Sequence, residues 1–192
     1  MSLDLTRALT STTPFTHFRA ANALDADLAG AALEWLRYRA IWRLRIEEFY
    51  EQHELSLLDQ PPSGPASALI SDTFVAEVRA AVEDKLRASL ELVGVYAHRL
   101  TAGQTIRIHN DHIGEDETHR LLLQLNEGWD TERGGLLMLF GDDQPESLAD
   151  VVMPDHRSVF AFEISARSHH AVSTIRSGER FTVVYTFRRA AQ

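Results

Sequence analysis

With 192 residues, 44% of them hydrophobic, the chain is long enough to bury one sizeable core, and its length favours a single domain over residues 1–192. Because it contains no cysteine, disulfides, thiolate metal ligands and cysteine nucleophiles are excluded, and any metal must be held by histidines and carboxylates. The formal net charge of −9, without a cluster of Lys and Arg, argues against a nucleic acid or a membrane surface as a partner.

The amino-terminal stretch MSLDLTRALTSTTPFTHF has no basic segment followed by an apolar one, as a secretory signal would have. No run in the chain approaches the roughly 18 consecutive apolar residues of a membrane-spanning helix. We therefore expect a cytoplasmic protein that is a monomer or a homodimer.

The first regular element is a helix predicted over residues 24–40, where apolar residues recur at helical spacing and Asp25 or Asp27 supplies an N-cap. Residues 41–47 alternate between apolar and charged side chains, which favours a strand. The segment that follows, EEFYEQHEL at 47–55, suits a helix equally well, so the sequence leaves its structure open.

Residues 59–67 carry three prolines and one glycine, which indicates a surface loop. Ser71 or Asp72 then begins a second helix, and we expect this helix to pack on the core. Its apolar stripe has a spacing of four residues and comprises Phe74, Val78, Val82, Leu86 and Leu90.

After the second helix the sequence changes to short apolar runs separated by Gly, Asp and Asn turns. The runs read LVGVYAHRL, TIRIHND, RLLLQLN, LLMLF, SVFAF and RFTVVYTF. Short strands of this kind predict an antiparallel sandwich or barrel. The chain is thus expected to consist of a mostly helical support region, residues 1–91, and a β-rich core, residues 92–189.

The stretch IRIHNDH, residues 106–112, places His109 and Asp111 two positions apart in a segment that alternates like a strand. Residues i and i+2 of a strand point to the same face, about 6–7 Å apart, so one imidazole and one carboxylate would converge. Composition alone yields roughly 0.6 such pairs in a chain like this one. Without further context, a surface histidine beside an aspartate that ends a strand explains the pair equally well.

The context comes from residues 165–182, SARSHHAVSTIRSGERFT, where two adjacent histidines precede a turn and Arg180 opens the last strand. Here the chain resembles the Fe(II)- and 2-oxoglutarate-dependent oxygenases, in particular their prolyl-hydroxylase-like branch. Those enzymes carry H-x-D on one strand, a distal His on a later strand and an Arg about ten residues beyond it. His170 and Arg180 fit this spacing, whereas His169 lies one residue too far from Arg180.

Further segments agree with the family in the same order, so that the resemblance covers roughly residues 92–189. LTAGQTIRIHND looks like the approach to the first ligand. RLLLQLNEGWDTERGGLLMLF is similar to the strand, LN turn and GG-containing strand of the family. VVMPDHRSVFAF resembles the proline-led strand before the distal His, and RFT at 180–182 matches the R-x-S/T element.

The resemblance implies a mainly β fold, a double-stranded β-helix (jelly roll, cupin-like), with the N-terminal helices packed on its outer face. It implies that His109, Asp111 and His170 are the catalytic metal ligands and hold Fe(II), with three positions left open for cosubstrate and O2. It also implies that Arg180, with Thr182 on the same face, binds the far carboxylate of 2-oxoglutarate. A surface salt bridge is the alternative for Arg180.

Two positions depart from the family pattern. Leu100 stands where relatives often place a tyrosine that helps to hold the cosubstrate. Gln124 stands where prolyl-hydroxylase-like relatives often place another such tyrosine, so it is a candidate cosubstrate contact. Its alternative is a polar residue satisfied within the sheet.

By resemblance, the activity expected is hydroxylation of an aliphatic C–H bond of an amino acid, a peptide or a small natural product, with release of succinate and CO2. Two other functions remain open: a cupin-type metalloenzyme that does not use 2-oxoglutarate, and a catalytically silent jelly-roll binding module. The acidic loop 112–119 either covers the pocket or is a solvated turn. The sequence assigns no role to Arg107, His112 or His169.

Overall fold

Two antiparallel sheets carry the β-structure of the chain. The structure, a computed structural model, describes residues 3–114 and 116–191. The larger sheet has eight strands in the order β1 (Leu9–Ser11), β2 (His17–Ala20), β10 (Val159–Glu163), β7 (His119–Gln124), β12 (Glu179–Arg189), β5 (Leu90–Thr101), β4 (Glu51–Ser56) and β3 (Arg43–Ile46). The smaller sheet has four, in the order β6 (Ile106–His109), β11 (His170–Val172), β8 (Leu137–Phe140) and β9 (Leu148–Val152).

Side-chain alternation along the larger sheet separates two environments. On its outer face, Val95, Leu121, Val183 and Tyr185 are buried in one cluster with the apolar sides of the helices. On its inner face, a second buried cluster fills the space toward the smaller sheet and includes Leu100, Leu137, Phe160, Phe162 and Val172. The prediction of a mainly β jelly roll with helices on its outer face is therefore confirmed.

The two helices are bounded by residues that cap them. Helix α1 (Ala26–Tyr38) begins where the Asp25 carboxylate accepts a hydrogen bond from the backbone N–H of Leu28 at 3.0 Å. Helix α2 (Asp72–Leu86) begins at Ser71, whose hydroxyl accepts from the N–H of Phe74 at 3.3 Å. A 3₁₀ helix (Gly64–Ile70) precedes α2 within the proline-rich segment.

The apolar stripe of α2 ends earlier than the sequence predicted. Arg87 takes a left-handed backbone conformation, with φ +57°, and this stops the helix after Leu86. Leu90 instead begins β5, although it is as buried as the helical members of the stripe. A spacing of four residues therefore continued by coincidence across a helix end.

Residues 1–91 contribute more than helices. In the segment that the sequence left open, residues 51–55 belong to β4, and residues 47–50 form the turn from β3. Strand β4 pairs with β5 on one side and with the exposed edge strand β3 on the other. Strands β1 and β2 extend the opposite end of the same sheet by pairing with β10. The expected mostly helical support region thus completes the larger sheet at both edges.

The hairpin β3–β4 also closes one side of the jelly roll. Its turn reaches the smaller sheet, where the backbone N–H of Arg107 donates to the carbonyl of Phe49 at 2.8 Å and Tyr50 forms a bridge to Ile106. The strand that carries His109 is therefore held between β11 and this turn. No helix within residues 3–114 and 116–191 is both long and apolar enough to cross a membrane.

Candidate active site

Three side chains converge where β6 ends. His109 is the last residue of β6, and the strand register pairs it directly with His170 on β11. Asp111 follows two residues later with φ +62°, outside the strand. Its Oδ1 lies 3.3 Å from His109 Nε2 and its Oδ2 lies 3.3 Å from His170 Nε2. The three groups thus present two nitrogens and an oxygen within 4.8 Å of one another.

Both histidines are oriented by the backbone. Nδ1 of His109 lies 2.9 Å from the carbonyl oxygen of Arg107, and Nδ1 of His170 lies 2.7 Å from that of Ser168. A carbonyl oxygen can only accept a hydrogen bond, so the ring nitrogen beside it must carry the proton. Each ring is therefore the tautomer with its proton on Nδ1 and its lone pair on Nε2. Both lone pairs are therefore available at the side of the ring that faces Asp111.

Electrostatics in the cluster favour a charged Asp111 carboxylate and a neutral His170 imidazole. Burial lowers the pKa of His170, and so does the neighbouring His109. Burial acts to raise the pKa of Asp111, but the neighbouring Arg120 cation holds it well below its usual value. A carboxylate and two neutral imidazoles that leave further positions open form the donor set preferred by Fe(II).

Aromatic rings enclose the cluster on two sides. The Phe49 ring stacks on His109, with centroids 4.4 Å apart and planes at 26°. The Phe162 ring meets His170 edge-on at 5.0 Å. These contacts restrict rotation of both imidazoles and keep water away from their outer faces.

Arg180 lies in the same cavity as the cluster, and its side chain is almost completely buried. Its Nη1 donates to the hydroxyl of Thr182 at 2.9 Å, but Nε and Nη2 are buried and have no hydrogen-bond partner among the described residues. Burial lowers the pKa of Arg180 to about 10, so the guanidinium remains charged at neutral pH. Two unpaired buried N–H donors on a cation are suited to a carboxylate, which accepts two parallel hydrogen bonds.

Gln124 reaches this region only indirectly. It pairs with Thr182 across β7 and β12, and its Oε1 accepts from the Thr182 hydroxyl at 3.0 Å. Gln124 borders a second cavity behind that hydroxyl and does not belong to the wall of the main one. Leu100, where the family often has a tyrosine, is buried in the core between the sheets.

The main cavity, which contains the cluster, has a volume of about 500 Å³, and both the β3–β4 hairpin and loop 112–119 contribute to its wall. On the hairpin side of this wall, Arg45 pairs with Glu54 at 2.9 Å. The amide of Gln52 is buried on this side, and its Oε1 has no hydrogen-bond partner within residues 3–114 and 116–191. The larger sheet adds Tyr96, His98, Leu122 and Val184 to the wall.

Loop 112–119 contributes Ile113, Gly114, Asp116 and Glu117 to the cavity, while Glu115 lies outside the described residues. Arg107, His112 and His169 do not line the cavity. Arg107 and His112 are exposed, and His169 is half-buried.

Two residues of the site were not predicted from the sequence. Arg120 on β7 contacts Asp111 and lines the same cavity, and no motif in the sequence singled it out. Gly135 has φ +66°, and a Cβ at this position would lie 3.0 Å from Cδ of Arg180. The GG pair marked a family segment in the sequence, but its contact with the arginine is visible only in three dimensions.

A sequence profile described as the 2OG-Fe(II) oxygenase superfamily matches residues 95–188. This range contains all three residues of the cluster as well as Gln124, Arg180 and Thr182. No curated protein sequence matches the chain.

Solved structures share the fold over nearly the whole chain. A prolyl-4-hydroxylase of Pseudomonas putida aligns with 91% of this chain and 93% of its own, with 22% identity and a TM-score of 0.74. A prolyl hydroxylase of Trichoplax adhaerens, in complex with a hypoxia-inducible-factor peptide fragment, aligns over 90% and 83%, with 11% identity and a TM-score of 0.69. HygX of Streptomyces hygroscopicus, with nickel, 2-oxoglutarate and hygromycin B bound, aligns over 91% and 83%, with 14% identity and a TM-score of 0.63.

Proposed function

Residues 95–188 belong to the 2OG-Fe(II) oxygenase superfamily, and from this premise we propose that the chain hydroxylates an aliphatic C–H bond while converting 2-oxoglutarate and O2 to succinate and CO2. The superfamily is one of non-haem iron dioxygenases whose cofactors are Fe(II), 2-oxoglutarate and O2. One oxygen atom enters succinate and the other enters the substrate as a hydroxyl group, so atoms and electrons balance without a further reductant.

The cluster would hold the iron. The three protein donors would be Nε2 of His109, Nε2 of His170 and one oxygen of Asp111. The hydrogen bonds from Nδ1 to backbone carbonyls keep both rings oriented toward a common point. When bound, iron would supply the activation of O2, with the keto acid as the source of electrons. The protein groups around it bind, orient and exclude water.

Arg180 is the residue that supports 2-oxoglutarate most directly. A buried cation with two unpaired donors is unfavourable unless an anion binds to it. Arg180 and the metal cluster line the same cavity. This juxtaposition of an unpaired guanidinium with a His-Asp-His cluster is the single observation on which the proposal depends. Thr182 fixes the guanidinium through Nη1, and Gln124 fixes the Thr182 hydroxyl in turn.

The substrate proposed is an amino acid, a peptide or a small natural product, bound in the part of the cavity toward the β3–β4 hairpin. A volume of about 500 Å³ lies in the range of small-molecule sites and accommodates a cosubstrate together with one side chain or ring of a substrate. The unpaired Gln52 Oε1 on this wall is suited to accept a hydrogen bond from an N–H or O–H of that substrate. We further propose a cytoplasmic monomer or homodimer that acts without a nucleic acid or membrane partner.

The test is the conversion of 2-oxoglutarate to succinate under air, with and without Fe(II), measured by quantifying the succinate formed. We expect His109→Ala and Asp111→Ala to abolish it. His112→Ala is the matched control, because this exposed histidine follows the same strand but does not line the cavity, and it should retain full turnover. Equal succinate formation by His109→Ala and the unmodified protein would contradict the assignment.

A further inference from the structure

Asp111 needs an orienting partner that its own segment does not supply. The residue lies beyond the end of β6 and adopts φ +62°, a backbone conformation that non-glycine residues seldom take. His109 and His170 are each fixed by a main-chain carbonyl, whereas the Asp111 carboxylate receives no backbone hydrogen bond within the described residues. What holds the carboxylate must therefore come from elsewhere in the fold.

Arg120 supplies that contact from the opposite sheet. Its backbone lies on β7 in the middle of the larger sheet, in register with Phe162 on one side and Thr186 on the other. Its Nη1 lies 2.6 Å from Oδ2 of Asp111, and its Nη2 donates to Glu117 at 2.6 Å. The guanidinium thus bridges the two sheets and joins the ligand carboxylate to the loop that borders the cavity.

The contact engages only one of the two carboxylate oxygens. Oδ2 lies against Arg120 and 3.3 Å from Nε2 of His170, while Oδ1 faces His109 and has no contact with the guanidinium. A carboxylate with both oxygens free can occupy two metal positions, and a three-residue site must keep three positions open for cosubstrate and O2. An arginine that occupies one oxygen leaves a single oxygen for the ion.

We propose that Arg120 is a positioning residue that presents Asp111 to the metal as a one-oxygen ligand, with Glu117 as the anchor of the guanidinium. This inference rests on the proposed function, because it requires that the cluster bind a metal. It adds a residue from β7 to a site whose three ligands come from β6, from β11 and from the segment after β6.

Charge repulsion and ligand positioning predict opposite changes in metal affinity when Arg120 is removed. A guanidinium beside a cation site repels the cation, so its loss should tighten metal binding if charge alone matters. If Arg120 instead orients Asp111, its loss should weaken binding, by about 10–100-fold as is typical for partners of metal ligands.

The experiment measures the dissociation constant of Mn(II) by electron paramagnetic resonance, in the full-length protein and without 2-oxoglutarate. We expect Arg120→Gln to bind Mn(II) about 10–100-fold more weakly than the unmodified protein, and Arg120→Lys to recover part of the loss because it restores one donor. Arg188→Gln is the matched control, since Arg188 is an exposed arginine paired with Glu91, and it should bind normally.

The outcomes separate this inference from the proposed function. Binding by Arg120→Gln that is equal to or tighter than normal overturns the positioning role while leaving the metal site intact. Absence of Mn(II) binding by the unmodified protein overturns the proposed function itself. If Arg120→Gln does not fold, Glu117→Gln decides the question: it keeps Arg120 but removes its anchor, and unchanged Mn(II) affinity in this variant would contradict the inference.

Discussion

His109 and His170 are direct partners across strands β6 and β11, with ring centroids 4.3 Å apart. Sheet register, rather than a bound ion, therefore fixes the spacing of the two imidazoles. Since each ring also donates from Nδ1 to a carbonyl two residues earlier in the chain, both Nε2 atoms point at one place before any metal arrives. A site of this kind binds a metal without a folding step.

The first prediction concerns metal and stability. Because the site is formed by the sheet, removal of metal with a chelator should leave the circular dichroism spectrum unchanged. A saturating divalent metal should raise the melting temperature by roughly 5–10 °C, which corresponds to about 2–3 kcal/mol of linked binding free energy at 100 times Kd. Calorimetry with and without Mn(II) measures this shift. His170→Ala should lose it, whereas His169→Ala, the neighbour outside the cluster, should keep it.

The second prediction concerns Arg180. Arg180→Leu should weaken 2-oxoglutarate binding at least about 30-fold, because a bidentate charge-assisted pair contributes about 2–3 kcal/mol. The protein without cosubstrate should be no less stable than normal, since the change removes a buried and unpaired cation. Isothermal titration with 2-oxoglutarate and urea unfolding measure the two effects. Normal 2-oxoglutarate affinity in the variant would instead favour a jelly-roll metalloenzyme that does not use this cosubstrate.

The third prediction concerns the glycine beside Arg180. Gly135 and Gly128 both have a positive φ, +66° and +61°, which disfavours alanine at both positions. Only at Gly135 does the new Cβ also meet neighbours, at 2.6 Å from Cδ1 of Ile175 and 3.0 Å from Cδ of Arg180. We expect Gly135→Ala to weaken 2-oxoglutarate binding and Gly128→Ala to leave it unchanged. Equal affinities in the two variants would show that the arginine tolerates displacement.

The fourth prediction concerns pH. Burial lowers the pKa of His119 to about 4, and the nearby Arg189 contributes in the same direction. Burial likewise lowers the pKa of the half-buried His98 to about 4. Between about pH 6.5 and pH 4 the unfolded chain takes up protons that the folded chain does not, so the free energy of unfolding falls as the pH falls.

Urea unfolding of the metal-free protein at pH 7 and pH 5 measures this loss, to which His119 contributes on the order of 1–2 kcal/mol. His119→Gln should lose less stability than the unmodified protein over this interval. His112→Gln, which changes an exposed histidine, should follow the normal profile. If His119→Gln shows the same loss as the unmodified protein, the buried histidine is not the source of the pH dependence.

Local sequence patterns correctly predicted individual helices and strands. The apolar stripe and Ser71 predicted α2, and the period-two alternation around His109 predicted β6. The resemblance to the oxygenase family implied that His170 and Arg180 belong to one site, because their spacing fits that of the family. The structure places both residues on the wall of one cavity.

The remainder depended on contacts between distant segments. Arg120 reads as an ordinary charged residue that begins a strand, and only the packing of β7 opposite the end of β6 brings it to Asp111. The segment 47–55 has no decisive periodicity, and its residues 51–55 form a strand because they pair with β3 and β5. Gln124 was expected near the cosubstrate from its position in the family pattern, but that pattern cannot show that Thr182 stands between Gln124 and Arg180.

The anaerobic absorption spectrum of the protein with Fe(II) and 2-oxoglutarate tests the central claim most directly. A keto acid that chelates an iron held by His109, Asp111 and His170 produces a visible charge-transfer band. We predict this band in the unmodified protein, its loss in His109→Ala, and its appearance in Arg180→Leu only at much higher 2-oxoglutarate. Absence of the band in the unmodified protein, together with no heat of 2-oxoglutarate binding by calorimetry, would contradict the assignment of this site.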